Sequence, residues 1–169
     1  RVDNTEPALV SALRYRRFAK VVAISDNIAE VLRQAGVSDD RLVVIRSAID
    51  PRQMHQQPDR DFLKREFAID TGAFAIAIVA QLIPRKGHRY LLEALVSLKR
   101  RYPGLHLEIF GNGVLEDGLR RLTAALGLND MVHFAGYRDD LDDYLSSFDL
   151  LVHPAIREGL GVAMLKASA

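Results

Sequence analysis

Apolar and polar positions alternate along this chain in blocks that predict short buried strands, each followed by an amphipathic helix. The first third predicts a helix over residues 7–18, a strand over 20–24, a helix over 26–35 and a strand over 41–45. Ser25 is a suitable N-cap for the second of these helices, and Gly36 is a suitable stop after it. Residues 47–60 carry two prolines and no apolar periodicity, which predicts a linker.

The same alternation resumes after this linker. Strands are predicted over residues 74–80, 105–110, 131–135 and 150–153, and helices over 61–67, 87–102, 114–126, 140–148 and in the apolar segment after Gly161. Strands that alternate with helices form βαβ units, so we predict an α/β fold: a Rossmann-like parallel sheet with helices on both faces. Ligands of such sheets bind beyond the carboxyl ends of the strands.

Composition narrows the classes of function. The 169 residues carry a net charge of +1, which gives no argument for a nucleic-acid partner, and there is no cysteine for a disulfide or a thiolate metal site. No apolar run reaches the roughly 18 residues of a membrane span, and no signal peptide is visible, so a cytoplasmic location is expected. The chain begins with Arg1 and stops inside a predicted helix, which suggests a fragment of a longer protein.

The sequence around Glu158 carries the strongest single signal. A strand, the tight turn Gly159-Leu160-Gly161 and a helix start would direct free backbone N–H groups at an anion. The adjacent Glu158 carboxylate suits a group rich in hydroxyls, and phosphate together with hydroxyls suggests a nucleotide-linked sugar. The alternative is an ordinary turn that uses glycine for packing, with Glu158 in solvent.

Two further turns fit a phosphate ligand. Lys86 and Gly87 follow a strand and open a helix, so the lysine could meet a diphosphate; the alternative is a surface cation. Gly111 and Gly113 form a glycine turn after the next strand, but the third glycine of a dinucleotide fingerprint is absent. A tight turn between strand and helix explains these two glycines at least as well.

Other candidates are weaker taken alone. Gly136 and Tyr137 could receive a flat base, although a turn glycine beside a surface tyrosine is the simpler interpretation. His153 is the one histidine placed to touch a ligand, and a structural role is favoured for it. The four aspartates between residues 139 and 143 are interpreted as helix-start charges rather than metal ligands. The basic residues 14–20 could face an anionic membrane surface, or form a solvated helix face.

Taken in order, these motifs resemble the retaining GT-B glycosyltransferases of the large group 1 family, family 4. The matching stretches are Gln81 with Lys86-Gly87, Phe110 to Gly113, Val132 to Gly136, Asp149 to Pro154, and Glu158 to Gly161. The resemblance covers almost the whole chain. It implies that residues 1–50 are the end of an N-terminal acceptor domain and the crossover, and that 51–169 are an incomplete C-terminal nucleotide-sugar-binding domain.

The resemblance also implies roles. Glu158 matches a glutamate that contacts the donor sugar, and Lys86 matches a lysine that stabilises the diphosphate leaving group; these two are the candidate catalytic residues. The candidate donor-binding residues are Gln81, Gly111, Gly113, Gly136, Tyr137, Gly159, Leu160, Gly161 and Lys166. Such enzymes usually transfer without a metal, so no cofactor is expected, and front-face attack by the acceptor hydroxyl gives retention.

Two positions depart from the family pattern. The second glutamate of the motif, which binds ribose hydroxyls, falls on Lys166, and a lysine cannot accept their hydrogen bonds. The arginine that commonly accompanies Lys86 falls on Gln81, which removes one cation from the diphosphate site.

The sequence therefore predicts a transferase that moves a sugar from a nucleotide-diphosphate donor to an acceptor hydroxyl. By analogy with the family, the acceptor is a lipid-linked or lipopolysaccharide-type glycan, and peripheral membrane contact is possible. Two alternatives stay open: a non-catalytic nucleotide- or sugar-binding module of the same fold, and a sugar-nucleotide epimerase.

Overall fold

The computed structural model describes residues 13–53, 57–143 and 145–169. The chain forms two compact units. The first runs to Ile49 and includes Gly159–Val162, and the second comprises Asp50–Glu158 and Ala163–Ala169. The sequence-based boundary lies at residues 50 and 51, and the assignment of the two sides to an acceptor and a donor domain stays a prediction.

The first unit contains strand β1 (Val21–Ala23), helix α1 (Asp26–Gln34) and strand β2 (Leu42–Val44), and the two strands pair in parallel. Ser25 caps α1 as predicted, since its side chain accepts a hydrogen bond from the Ile28 amide at 3.2 Å. The buried residues are small and aliphatic: Ala23, Ala29, Leu32 and Val37. Residues 13–15 are helical, and residues 7–12 of the predicted first helix lie outside the described residues.

The second unit contains most of the regular structure. Its elements are helix α2 (Arg60–Phe67), strand β3 (Phe74–Val79), helix α3 (His88–Lys99), strand β4 (Leu105–Phe110), helix α4 (Glu116–Ala125), and strands β5 (Val132–Gly136) and β6 (Leu150–Leu151). Short 3₁₀ turns lie at Pro51–Gln53, Pro84–Lys86, Leu141–Asp143 and Leu145–Ser147. A last short helix, α5 (Val162–Ala167), follows the glycine turn.

The four strands of this unit form one parallel sheet in the order β5-β4-β3-β6. One face buries the aliphatic side chains of β3 and β4 against helices α3 and α4, with Leu92, Leu95 and Leu119 at the contact. The opposite face packs Ala77 and Phe110 against the region of α2 and the turns after Asp140. Helices therefore cover both faces, and the predicted α/β parallel sheet is confirmed.

The predicted helix over residues 140–148 is wrong for its described residues, which form two 3₁₀ turns. Tertiary hydrogen bonds explain the difference. The Ser147 hydroxyl accepts from the Asp59 amide at 2.8 Å, and the Ser147 carbonyl accepts from Arg60 at 3.0 Å. These bonds tie the segment to the start of α2 and compete with regular α-helical hydrogen bonding.

One buried polar side chain on β4 stands out. Glu108 is fully buried, and neither of its carboxylate oxygens has a hydrogen-bond partner in the described part of the chain. Its register neighbours are Ala77 on β3 and His133 on β5. Burial raises the pKa of Glu108 from 4.5 to about 8, so the side chain is largely protonated at neutral pH.

None of the helices in the described residues has both the length and the apolar character that a membrane span requires.

Candidate functional site

Three turns interlock at the carboxyl edge of the sheet. The Ala80 amide donates to Phe110 O at 3.0 Å, and the Leu82 amide donates to Asn112 O at 2.9 Å. The Gly111 amide donates to Gly136 O at 2.7 Å. The structure thus brings together the turns that carry four predicted binding residues: Gln81, Gly111, Gly113 and Gly136.

Close backbone packing explains two of these glycines. A Cβ on Gly111 would lie 2.2 Å from Ala80 O, and a Cβ on Gly113 would lie 2.5 Å from Leu82 O. Both glycines also adopt positive φ, 130° and 159°. The contact between the turns therefore accounts for the Gly-x-Gly spacing, and binding of a phosphate there stays a prediction.

The second unit also brings together the two residues predicted to be catalytic. Lys86, in the 3₁₀ turn after β3, donates through Nζ to Glu158 Oε2. His153, which follows β6, places Nε2 2.8 Å from the same carboxylate oxygen. All three side chains are mostly shielded from solvent, with exposed fractions of 12% for Lys86, 24% for Glu158 and 7% for His153. The Lys86 ammonium group and the His153 imidazole thus both contact one oxygen of the partly buried Glu158 carboxylate.

Backbone contacts hold the two loops that carry this cluster. The Ile156 amide donates to Arg85 O at 2.9 Å. Gly87 has φ 74°, and a Cβ on it would lie 2.0 Å from Pro154 O. The turn that ends in Lys86 therefore lies directly against the loop that begins at His153. This close approach requires a glycine after Lys86.

His88, the first residue of α3, belongs to the same region and was not anticipated from the sequence. It is 2% exposed, and neither ring nitrogen has a hydrogen-bond partner among the residues described. Burial first, then the nearby charges of Lys86 and His153, lower the pKa of His88 from 6.5 to about 4. The imidazole is therefore neutral at physiological pH and adds no cation beside Lys86. Its position directly after Lys86-Gly87 was the available sequence signal.

Lys166 and Tyr137, two further predicted donor-binding residues, are not part of this cluster. Lys166 donates to Asp142 Oδ2, so this aspartate is an ion-pair partner rather than a helix-start charge. Tyr137 is 71% exposed directly after β5, as its possible role beside a base requires. Neither the ion pair of Lys166 nor the exposure of Tyr137 tests a role in donor binding.

Residues 159–161 group with the first unit. The Gly159 carbonyl accepts a hydrogen bond from the Ser25 hydroxyl at 2.9 Å, and Gly161 has φ 73°. A Cβ on Gly159 would lie 3.5 Å from the side chains of Ile24 and Ile28. Helix α5, which begins directly after this turn, has only six residues. The predicted contact of Gly159, Leu160 and Gly161 with a donor stays a prediction.

The Lys86–Glu158–His153 cluster can respond to a bound anion. A lysine has a long flexible stem, so a polyanion beside it can draw the ammonium group away from the carboxylate. A carboxylate released in this way accepts hydrogen bonds from hydroxyl groups. Among the residues that the structure describes, no group of three His, Asp or Glu side chains is arranged to hold a metal ion.

Comparison with known proteins agrees with this fold. Residues 59–169 match the family of glycosyl transferases group 1, and the chain belongs to this family. Over 103 residues, it is 34% identical to the lipopolysaccharide core biosynthesis glycosyltransferase LpsE of Rhizobium meliloti, covering 60% of this chain and 29% of LpsE. Over 174 residues, it is 25% identical to the 2-deoxystreptamine glucosyltransferase of Streptomyces kanamyceticus, covering 98% of this chain and 45% of that enzyme.

The fold matches solved GT-B structures. The crystal structure of Anabaena HepE in complex with UDP and glucose superimposes with a TM-score of 0.83 at 24% identity. The match covers 95% of this chain and 45% of HepE. The chain thus spans less than half the length of these relatives. The predicted GT-B-type α/β fold and group 1 membership are confirmed.

Proposed function

We propose that the protein containing this chain is a retaining glycosyltransferase of family 4. It transfers a sugar from a nucleotide-diphosphate donor to an acceptor hydroxyl. The observation that carries the proposal is the convergence of Lys86 and Glu158 at the carboxyl edge of the parallel sheet. A cation for the diphosphate and a carboxylate for the sugar hydroxyls are the two groups that such a donor needs side by side.

In this proposal, Lys86 leaves Glu158 when the donor enters and neutralises negative charge on the diphosphate. Glu158 then accepts hydrogen bonds from the sugar, and the turns at Gly111, Gly113 and Gly136 border the phosphates and the base. The transfer uses no metal, because Lys86 and backbone amides stabilise the departing diphosphate. Group 1 membership and the UDP and glucose bound by HepE support a nucleotide-sugar donor.

The proposal extends to the whole protein. Residues 1–50 close an acceptor-binding domain and cross to the donor domain, and residues 51–169 form part of the donor domain. The acceptor is a lipid-linked or lipopolysaccharide-type glycan, which the name of the relative LpsE supports. The protein works in the cytoplasm, and the basic residues 14–20 contact the membrane face. This chain is a fragment of that longer protein.

Calorimetric titration of the full-length protein with UDP, GDP and ADP, in EDTA, tests the donor site. One nucleotide should bind, and Lys86→Ala should weaken its binding by about 1.5–3 kcal/mol, the contribution of a charged hydrogen bond. Lys64→Ala, which removes an exposed lysine paired with Asp70, is the matched control and should leave binding unchanged. Binding of none of the three, or equal binding by Lys86→Ala, would contradict the proposal.

Turnover assays separate the alternatives. Sugar transfer to an acceptor supports the transferase. Nucleotide binding without any turnover would favour a binding module, and conversion of a free sugar-nucleotide without an acceptor would favour an epimerase.

A further inference from the structure

We infer that His153 is a positioning residue that holds the Glu158 carboxylate in place for the donor sugar. This inference rests on the proposed function, and it concerns a histidine for which the sequence favoured a structural role over contact with a ligand. It starts from the geometry of one atom: Glu158 Oε2 accepts from Lys86 Nζ and lies 2.8 Å from His153 Nε2.

The chemistry of the two groups fixes the direction of the second hydrogen bond. A carboxylate can only accept, so the hydrogen between the two side chains lies on Nε2 of His153. The other ring nitrogen, Nδ1, is buried and has no hydrogen-bond partner in the described residues. The contact to Glu158 is therefore the polar interaction that orients this ring.

Lys86 and His153, both partners of Glu158, differ in how firmly they are held. His153 is 7% exposed and has only two side-chain torsions. It lies two residues beyond β6, next to Val152, whose amide donates to Ala77 O at 2.8 Å. Lys86 carries its charge on a four-carbon stem. A diphosphate would draw Lys86 away, whereas the packed imidazole would stay. His153 then remains to keep the carboxylate directed at the sugar hydroxyls.

Two substitutions separate positioning from packing. His153→Gln keeps an N–H donor near the place of Nε2, whereas His153→Leu fills a similar volume without a donor. His133→Gln is a matched control: it changes a partly buried histidine on β5 that stacks on His106 at 6.1 Å and takes no part in the cluster.

The experiment measures binding by calorimetry in the full-length protein. UDP-glucose, GDP-mannose and ADP-glucose are each compared with UDP, GDP and ADP. For the base that binds, His153→Leu should weaken binding of the sugar nucleotide by about 10- to 100-fold, the range for a hydrogen bond to a charged group. Binding of the matching nucleoside diphosphate should change by less than about threefold, because that ligand lacks the sugar. His153→Gln should restore most of the loss, and His133→Gln should behave as wild type.

The outcomes are distinguishable. Equal binding of the sugar nucleotide by wild type and His153→Leu would overturn the role of His153 and leave the donor site intact. An equal loss for the sugar nucleotide and the diphosphate, or a failure of glutamine to rescue, would show that the ring serves packing alone and would also overturn it. A wild-type protein that binds none of the six nucleotides would overturn the proposed function itself, and this inference with it.

Discussion

Replacing Glu108 tests whether this buried carboxyl keeps its proton in the folded protein at neutral pH. This carboxyl is fully buried on β4, one of the two inner strands of the sheet, and its pKa lies at about 8 instead of 4.5 because burial penalises the charged form. Between these two values, the unfolded chain loses the proton while the folded chain keeps it. Stability therefore falls as pH rises from 4.5 to about 8, and stays at the lower level above that.

The size of the effect follows from the shift. Each pH unit between the two pKa values lowers the free energy of unfolding by about 1.4 kcal/mol. At pH 7 the accumulated loss is about 3 kcal/mol relative to pH 4.5. Glu108→Gln removes the titration and should remove this slope. Glu108→Leu should do the same, and it also removes the unpaired polar atoms.

Equilibrium urea unfolding between about pH 5 and about pH 8 checks this prediction, with far-ultraviolet circular dichroism as the signal. The difference in unfolding free energy between each variant and wild type should grow steadily with pH. Glu93→Gln is the control, because this glutamate lies on the surface of α3, where it pairs with Arg89. Parallel pH profiles for Glu108→Gln and wild type would show that Glu108 does not have a raised pKa in the folded protein.

Two further substitutions test the backbone contacts. Gly87→Ala should destabilise the second unit by at least about 1–3 kcal/mol, the cost of a strained left-handed residue, since its Cβ would also meet Pro154 O at 2.0 Å. Gly104→Ala is the control and should be nearly neutral, because a Cβ there would have nothing within 4 Å. Equal melting temperatures for the two variants would contradict the contact at Gly87. Ser25→Ala should cost at least about 1 kcal/mol in urea unfolding, because it removes the α1 N-cap and also the hydroxyl bond to Gly159 O. Ser97→Ala, on the exposed side of α3, is the control. Equal stability of the Ser25 and Ser97 variants would argue against the cap.

Much of the fold could be predicted because local signals and burial agree. The run Leu105–Phe110 is apolar at four of its six positions, follows a Pro-Gly turn and precedes a glycine turn, and the strand occupies those same residues. Ser25 combines a capping side chain with a following amphipathic helix, and both were found. For residues 140–148 the local pattern predicted a helix, which the described residues do not form. The reason is that Ser147 forms long-range hydrogen bonds to the start of α2, which no local pattern shows.

The candidate site, too, could be predicted only in part from the sequence. The sequence placed Lys86 and Glu158 at strand ends, so the parallel topology was enough to suggest that they share an edge. The shared bond with His153 and the burial of His88 depend on how two loops pack, and no local pattern encodes that packing. The sequence leaves open whether Gly111 and Gly113 face a phosphate or only form a tight turn. The close backbone contact beside each of them explains the two glycines without a ligand.

Hydrogen exchange of the full-length protein, with and without the nucleoside diphosphate that binds, would locate the donor site on the sheet. We expect slower exchange in the turns at residues 81–88, 111–113 and 136–137 upon binding, and loss of that protection in Lys86→Ala at the same nucleotide concentration. Exchange at the amino ends of β3 and β4 should not change. Protection confined to other regions, or none at all with nucleotide bound, would contradict a donor site at this edge of the sheet.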